Sequence, residues 1–253
     1  VHNYLTPDEV HRLKTMPLGV IPRTKLENGL VDSAFGYAEE TVRRQQVGEV
    51  GSDKFYSDGG DIKTTFIPEL QKIVHSELRR GLVLEDRLRG YRGPLTRDVP
   101  FPVDWTDDAL PPPPGSEDWQ VAVIKEVSSD LTVVTPAGEA ALKNSNIRWA
   151  VGKRKPSSVF KVGDAVLVAD LGSGLELVQI PKTQGAVVVM QPVTGAVLAL
   201  DGGFSFDQSE FNRATQARRQ VGSVFKPFVF LTALQMGYNA MSPVLDSPIS
   251  LDT

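Results

Sequence analysis

The sequence predicts an α+β fold in which a small β-rich module interrupts a larger mixed domain. Apolar residues recur at helical spacing before residue 90, and short β-branched runs recur between residues 119 and 180. A buried hairpin and an apolar helix are predicted after residue 184. The chain has 253 residues, of which 41% are apolar and 23% charged, so it can form one large domain or two ordinary ones.

Composition excludes several classes of function. The 31 acidic residues outnumber the 27 basic residues, so electrostatics do not favour a nucleic-acid partner, and the isolated basic cluster at residues 153–155 is typical of a solvated turn. Cysteine is absent, which excludes thiol catalysis, thiolate metal sites and disulfides. We expect neither a metal nor a cofactor, because no ligand spacing relates the three histidines His2, His11 and His75.

The start of the sequence has no targeting signal. The opening VHNYLTPDEV lacks the basic flank and apolar run of a signal peptide. Apolar stretches elsewhere fall short of the roughly 20 residues that a membrane-spanning helix needs. We therefore expect the chain to begin inside a longer protein.

The first 90 residues are predicted to form three helices and one strand. A short helix is expected at residues 6–18, where prolines suit its first turn and its end. A second helix is expected at residues 33–46, ended by the glycines that follow. The β-branched run at residues 61–67 predicts a strand, and Pro68 opens a third helix that we expect to stop at Gly81.

Residues 90–117 are rich in proline, which leaves few backbone donors, so we predict a linker there. Five runs after it favour short strands: QVAVIKEV, LTVVT, NIRWAV, DAVLVAD and LELVQI. This spacing suggests a small barrel of the oligosaccharide- or oligonucleotide-binding (OB) type, and it is equally compatible with another small β module. Next, AVVVMQ and AVLALDGG predict a hairpin buried on both faces.

The pattern S-x-x-K occurs twice, both times as SVFK: Ser158 to Lys161 and Ser223 to Lys226. On a helix, a lysine three residues after a serine lies on the same face, where its amine can take the proton of an attacking hydroxyl. In an extended chain, residues three apart point to opposite faces. Only a helical copy can therefore act as nucleophile and base.

Local sequence separates the two copies. The first precedes a Gly-Asp turn and a β run, so we expect Ser158 to be a surface loop residue. At the second, Pro227 places the helix start near Ser223, since an internal proline costs about 3 kcal/mol, and the apolar run that follows predicts a central, buried helix. Ser223 is thus the candidate nucleophile and Lys226 its base, beside free N–H groups that can hold an oxyanion. The alternative is that Ser223 only caps the helix and Lys226 is solvated.

Several motifs occur together after residue 185: the hairpin ending in Gly202-Gly203, FNRA at 211–214, the Arg219-Gln220 pair and SVFKPF. Together they resemble the opening of the transpeptidase domain of class A penicillin-binding proteins, particularly the 1A type. Upstream, GGDIKTTFIPELQ resembles the first transpeptidase strand and helix of this family. Residues 6–18 resemble the tail of its glycosyltransferase domain, and the β-rich insert fits its small OB-like module.

The resemblance implies a penicillin-binding/serine β-lactamase-like transpeptidase fold and four parts of the chain. Residues 1–26 would be the tail of the glycosyltransferase domain, and residues 27–90 a linker with the first transpeptidase strand and helix. Residues 91–183 would form the proline-rich linker and the OB-like module. Residues 184–253 would be the N-terminal part of the transpeptidase domain, with the S-x-x-K helix.

The resemblance also implies function. Ser223 would be acylated by the donor stem peptide of peptidoglycan and by β-lactams, with Lys226 as the base, and a neighbouring stem amine would then form the cross-link and release D-Ala. Implied partners are stem peptides, glycan strands, β-lactams as covalent inhibitors, and the membrane, reached through a segment outside this chain. A periplasmic activator is a further candidate partner, and the implied location is the periplasmic face of the inner membrane.

The sequence departs from the family pattern at several points. Val221 stands where the family usually has proline, and Ile67 where it usually has a helix-capping aspartate. The family motifs S-x-N and K-T-G are absent, since residues 182–185 read KTQG and precede the nucleophile. We therefore expect this stretch alone to be inactive and to function within a bifunctional glycosyltransferase/transpeptidase. The alternatives are a non-catalytic glycan- or partner-binding module, and a D,D-carboxypeptidase or β-lactamase relative.

Overall fold

The computed structural model describes residues 33–105, 110–116, 118–172 and 174–245, and the helix predicted at residues 6–18 lies outside them. Within the described residues, the structure has both helices and two antiparallel sheets, so the predicted α+β class is confirmed. Contacts divide the chain into two compact units, one up to Gln216 and one from Ala217 onward. Each unit is described by itself.

The first helices are longer than predicted. A 3₁₀ turn at Ser33–Phe35 leads into α1 (Gly36–Val50), and α2 (Ser52–Asp58), which was not predicted, follows at once. Helix α1 continues through Gly48, because a single glycine costs a helix only about 1 kcal/mol. It ends at Gly51, whose φ of 86° suits glycine far better than other residues.

Helix α3 (Pro68–Arg87) likewise passes Gly81, where we expected it to stop. Leu82 and Val83 follow that glycine and are buried in a cluster with Trp119 and Phe204. Burial of these side chains, each worth about 1.5–3 kcal/mol, outweighs the cost of one helical glycine. The sequence pattern of α3 did not reveal this packing, since its partners are distant in sequence.

The strand predicted at residues 61–67 does not form, so that prediction was wrong. The segment before α3 is irregular and meets the hairpin only near its end. There the Ile67 N–H donates to the Leu198 carbonyl at 2.9 Å, and the Thr65 hydroxyl donates to the Val197 carbonyl. One backbone hydrogen bond does not make a ladder, and propensity alone does not supply a partner strand.

The start of α3 lacks a side-chain cap. Ile67 occupies the N-cap position with extended backbone angles, φ −103° and ψ 111°, and it is 42% exposed. An aspartate at such a position accepts a hydrogen bond from a free N–H of the first turn. We expect Ile67→Asp to raise the free energy of unfolding by about 1 kcal/mol, measured by urea denaturation. Ile62→Asp, at a similarly exposed residue outside the cap, is the control, and equal effects of the two variants would contradict the capping argument.

Five antiparallel strands form the β module in the order β3-β2-β1-β4-β5. The edge strands β3 and β5 also contact each other, so the sheet curls toward a barrel. The predicted runs QVAVIKEV, LTVVT, DAVLVAD and LELVQI each contain one strand. The strand bounds are β1 (Gln120–Val127), β2 (Leu131–Thr135), β3 (Gly138–Leu142), β4 (Ala165–Asp170) and β5 (Leu175–Val178).

One of the five strand predictions was wrong. NIRWAV lies in a helix, α4 (Asn144–Val151), whose buried residues Ile147, Ala150 and Val151 follow the helical spacing i, i+3, i+4. The fifth strand is instead β3, whose sequence is GEAAL. It was not predicted because alanine and glutamate have low β-propensity.

Strands β1 and β4 are buried on both faces, which explains their unbroken apolar runs. Ala122 and Ile124 point into the barrel core, whereas Val121 and Val123 belong to the cluster that includes Leu82 and Val83 of α3. The module is therefore packed against α3 rather than merely tethered to it.

A buried carboxylate fastens the module to the end of α3. Asp86, whose side chain is 0% exposed, accepts hydrogen bonds from Arg92 Nη1 at 2.8 Å, Gln179 Nε2 at 2.8 Å and the Lys182 amide at 2.9 Å. Arg92 stands where the chain leaves for the module, and the other two where it returns. The Arg92 amide also donates to Gln179 Oε1 at 3.1 Å. One side chain thus holds both connections.

The hairpin forms as predicted, with β6 (Val187–Met190) paired to β7 (Val197–Asp201), but burial on both faces was wrong for β6. Val188 and Met190 are 43% and 53% exposed, so the face of β6 that carries them is open in the described part of the chain. The end of β7 is buried and held by Gln71 of α3. This buried amide receives the Leu200 N–H at 2.9 Å and donates to the Leu200 and Ala34 carbonyls.

Candidate active site

The second unit contains the predicted nucleophile segment. A 3₁₀ turn at Gly222–Phe225 runs into α5 (Lys226–Gln235), with Pro227 in the first turn of that helix. The predicted start near Ser223 is confirmed, because proline is tolerated only in the first turn of a helix. Val221, where the resembling family usually has proline, has a φ of −69°, close to the value that proline imposes.

Ser223 and Lys226 share the 3₁₀ turn. The Lys226 N–H donates to the Ser223 carbonyl, which closes the turn between them. Side chains three residues apart eclipse each other in a 3₁₀ turn, so the hydroxyl and the amine project from one side. Both residues are exposed in this chain. This is the relative placement of serine and lysine that an S-x-x-K pair needs if the amine is to take the hydroxyl proton.

The capping alternative does not fit this geometry. The residue that precedes α5 is Phe225, and neither the turn nor the helix has a hydrogen bond from a capping side chain. Ser223 lies inside the turn, one turn before the helix proper. Its hydroxyl is therefore not used to satisfy the free N–H groups of the helix.

The first SVFK copy is arranged differently. Ser158 ends a 3₁₀ turn (Pro156–Ser158), and its hydroxyl donates to the Lys155 carbonyl at 2.7 Å. The helical turn stops before Lys161, and Phe160 between them is 1% exposed, in the barrel core. Ser158 is thus a surface residue as expected, although a short helical turn rather than an extended strand separates it from Lys161.

The prediction that α5 is central and buried is wrong for the described residues. Phe228 and Phe230 are 60% and 66% exposed, and Leu231 is 54% exposed. A helix that is apolar all round is stable in water only when other elements cover it. The described residues of the second unit do not by themselves supply that cover.

Sequence reasoning missed a buried polar pair in the first unit. His75 Nδ1 lies 2.7 Å from Asp201 Oδ2, and the Asp201 side chain is 0% exposed. The other carboxylate oxygen, Oδ1, has no hydrogen-bond partner among the described residues. The two residues are far apart in sequence, so only the packing of α3 on β7 brings them together. His2 and His11 lie outside the described residues.

The described ranges contain neither a candidate metal site nor a membrane-spanning helix. These residues contain no group of three or more histidine, cysteine, aspartate or glutamate side chains that could hold a metal ion. The helices of that part of the chain are also too short or too polar to cross a membrane.

Comparison with known families identifies two successive parts of the chain, from residue 91 onward. Residues 91–183 match the family model of the penicillin-binding protein OB-like domain, and residues 185–249 match that of the penicillin-binding protein transpeptidase domain. The curled sheet and the hairpin with its S-x-x-K turn lie within these ranges. The fold and these matches thus define part of a penicillin-binding protein: an OB-like domain followed by part of a transpeptidase domain.

The relatives narrow the class. Penicillin-binding protein 1A of Rickettsia felis is 32% identical over 98% of this chain, and that of Pseudomonas aeruginosa is 38% identical over 84%. A crystal structure of penicillin-binding protein 1A from Haemophilus influenzae superposes with a TM-score of 0.69, at 29% identity over 99% of this chain. The chain belongs to the class A penicillin-binding proteins of the 1A type. It spans 31% and 27% of the length of the two curated relatives, and 37% of the solved chain.

Proposed function

We propose that the protein is a serine D,D-transpeptidase of peptidoglycan synthesis, acting within a bifunctional glycosyltransferase/transpeptidase. The observation that carries this proposal is the shared turn of Ser223 and Lys226 in a chain of this family. The same four letters at residue 158 do not form such a turn. This difference in local geometry supports the choice of Ser223 over Ser158 as the proposed nucleophile.

The reaction follows from the two side chains. The Lys226 amine takes the Ser223 hydroxyl proton as Oγ attacks the carbonyl carbon of the penultimate D-Ala of a donor stem. The terminal D-Ala leaves as an amine that regains this proton, and an ester to Ser223 remains. An amine of a neighbouring stem then attacks the ester, forms the cross-link and returns a proton to Ser223. A β-lactam stops after the first step, because its leaving amine stays attached to the acyl group.

The remaining partners belong to the same proposal. Stem peptides and glycan strands are the substrates, and β-lactams are covalent inhibitors. The protein would act at the periplasmic face of the inner membrane, held there by a segment outside this chain, with a periplasmic protein as its activator. No nucleic acid is proposed, since the chain carries a formal net charge of −4.

Mass spectrometry locates the acylated residue. We expect a full-length enzyme carrying this sequence to gain one penicillin adduct, and peptide mapping to place it at Ser223. The adduct should live much longer than the acyl-enzyme of a β-lactamase, because a transpeptidase does not direct water onto the ester. A label at Ser158 would refute the assignment of the nucleophile. Rapid release of hydrolysed penicillin would instead favour the β-lactamase or carboxypeptidase alternative.

A further inference from the structure

We call the 3₁₀ turn at Gly222–Phe225 the nucleophile turn. The segment between β7 and this turn is hydrogen-bonded to α1, which lies more than 150 residues earlier in the sequence. We call residues 205–216 the anchored loop. The Tyr37 hydroxyl of α1 lies 3.0 Å from the Ser205 carbonyl and 2.7 Å from the Ser209 carbonyl, and the two carbonyls share its one proton as acceptors. Tyr37 is 2% exposed, and burial raises the pKa of its hydroxyl to about 12. The hydroxyl therefore remains a donor at neutral pH.

A second contact joins the same two elements. Asn212 is 3% exposed, and its Nδ2 donates to the Thr41 hydroxyl of α1 at 3.0 Å. That hydroxyl in turn donates to the Tyr37 carbonyl at 2.7 Å. Asn212 also shapes the loop itself, since its Oδ1 receives the Ala214 N–H at 3.0 Å and its backbone N–H donates to Gln216 Oε1 at 2.8 Å.

Three glycines allow this close packing. A Cβ at Gly36 would lie 2.8 Å from the Phe206 side chain, and one at Gly203 would collide with the Tyr37 hydroxyl. A Cβ at Gly202 would collide with the Asn212 side-chain oxygen. Real Cβ contacts are not this short, so glycine is required at each position for the loop to reach α1. The Tyr37 and Phe206 rings also meet edge to face, with centroids 5.3 Å apart.

We propose that α1 is a positioning element for acylation, with Tyr37 and Thr41 as positioning residues that restrain the anchored loop leading to Ser223. This inference rests on the proposed function. Gln216, the last residue of the loop, lies seven residues before Ser223 in the sequence, so a restraint on the loop fixes one end of the segment that leads to the nucleophile. Helix α1 precedes the OB-like module in sequence, and its hydrogen bonds to the loop do not pass through that module.

The test compares hydroxyl deletions with matched controls in a full-length enzyme carrying this sequence. Tyr37→Phe removes the donor to the loop, and Thr41→Val removes the acceptor for Asn212 without changing the shape of the side chain. We expect each to lower the first-order acylation rate of Ser223 by a fluorescent penicillin about tenfold, since small misplacements of reacting groups are costly. The penicillin concentration that gives half-maximal rate should stay within about twofold.

Two control variants accompany these deletions: one keeps the hydroxyl at residue 41, and the other removes a tyrosine hydroxyl that does not contact the anchored loop. Thr41→Ser retains the hydrogen bonds and should acylate at the parent rate. Tyr56→Phe removes an exposed hydroxyl that meets only the Arg43 guanidinium at 3.0 Å among the described residues, and it should also be silent. Thermal melting measures the folded fraction of each variant, so that a rate change can be compared with any loss of stability.

The outcomes separate two kinds of failure. A slower rate in both hydroxyl deletions, with a folded fraction near that of the parent, supports positioning. Parent-like acylation by both deletions, or a loss of rate that only follows the unfolded fraction, overturns the positioning role while leaving the nucleophile assignment intact. Absence of any label at Ser223 in the parent enzyme overturns both the proposed function and this inference.

Discussion

We expect replacement of Ser223 by alanine to abolish covalent labelling by penicillin and cross-linking by the full-length enzyme, whereas Ser158→Ala should leave both at the parent level. The proposed acyl-enzyme is an ester of the Ser223 oxygen, and no other group in the same turn can form one. Loss of a covalent nucleophile costs on the order of 10⁴-fold or more in rate. Gel fluorescence with a labelled penicillin and separation of cross-linked muropeptides measure the two activities.

The lysines of the two SVFK copies, Lys226 and Lys161, can be compared in the same way as the two serines. Lys226→Ala should lower the acylation rate about 10²- to 10⁴-fold, the usual contribution of a positioned general base. Lys161→Ala should have no effect, because the helical turn at Ser158 ends before Lys161. Equal effects of the two lysine variants would mean that the shared turn of Ser223 and Lys226 is not what selects the nucleophile.

Asp86→Asn should have the largest effect on stability. It removes the charge from a fully buried carboxylate paired with Arg92, and such a loss costs about 3–5 kcal/mol in the free energy of unfolding. Burial alone would raise the pKa of Asp86, but hydrogen bonds from Arg92, the Lys182 amide and Gln179 prevail and lower the pKa below its usual value. The folded state therefore prefers the charged form.

The sign of the pH dependence follows from this lowered pKa. Asp86 stabilises the fold above the unfolded-state pKa of about 3.9, and its contribution is lost as the pH falls through the folded-state pKa. The difference in unfolding free energy between the parent and Asp86→Asn should thus be full at pH 7 and shrink in acid. Urea denaturation followed by tryptophan fluorescence measures it, since all three tryptophans lie between residues 105 and 149.

Glu77→Gln is the control for the Asp86 prediction. Glu77 lies on the same helix and pairs with Arg80, but both side chains are more than half exposed. Exposed ion pairs contribute at most about 1 kcal/mol, so this variant should change stability little at any pH. A pH-independent effect of Asp86→Asn would contradict the assignment of the acid dependence to this carboxylate.

The elements with strong local signals were predicted well. Strand β1 coincides with the run QVAVIKEV, and the start of the nucleophile turn follows from Pro227. Errors arose where packing overrides local preference. NIRWAV is β-rich in composition but helical in its burial pattern, and Gly81 sits inside a helix whose flanks are buried against the module.

For the candidate site, the two SVFK copies could be told apart from the sequence because their neighbours differ. The hold of Tyr37 on residues 205 and 209 could not be predicted, since it joins residues that are remote in the chain and no short motif announces it. The same is true of Asp86. The doublet Gly202-Gly203 was visible as a motif, but its physical reason, close approach to Asn212 and Tyr37, required the structure.

The hydrogen bonds of Asp86 to Arg92, Gln179 and the Lys182 amide bear on which lengths of inserted chain this fold can accept. The chain leaves for the module and returns from it beside one carboxylate. The ends of an insertion of about ninety residues therefore lie as close together as the ends of a tight loop. Loops of the module that lie away from α3 can therefore lengthen or shorten without moving the two ends. The two ends, and the apolar face of the module that packs against Leu82 and Val83, are the parts whose geometry α3 requires.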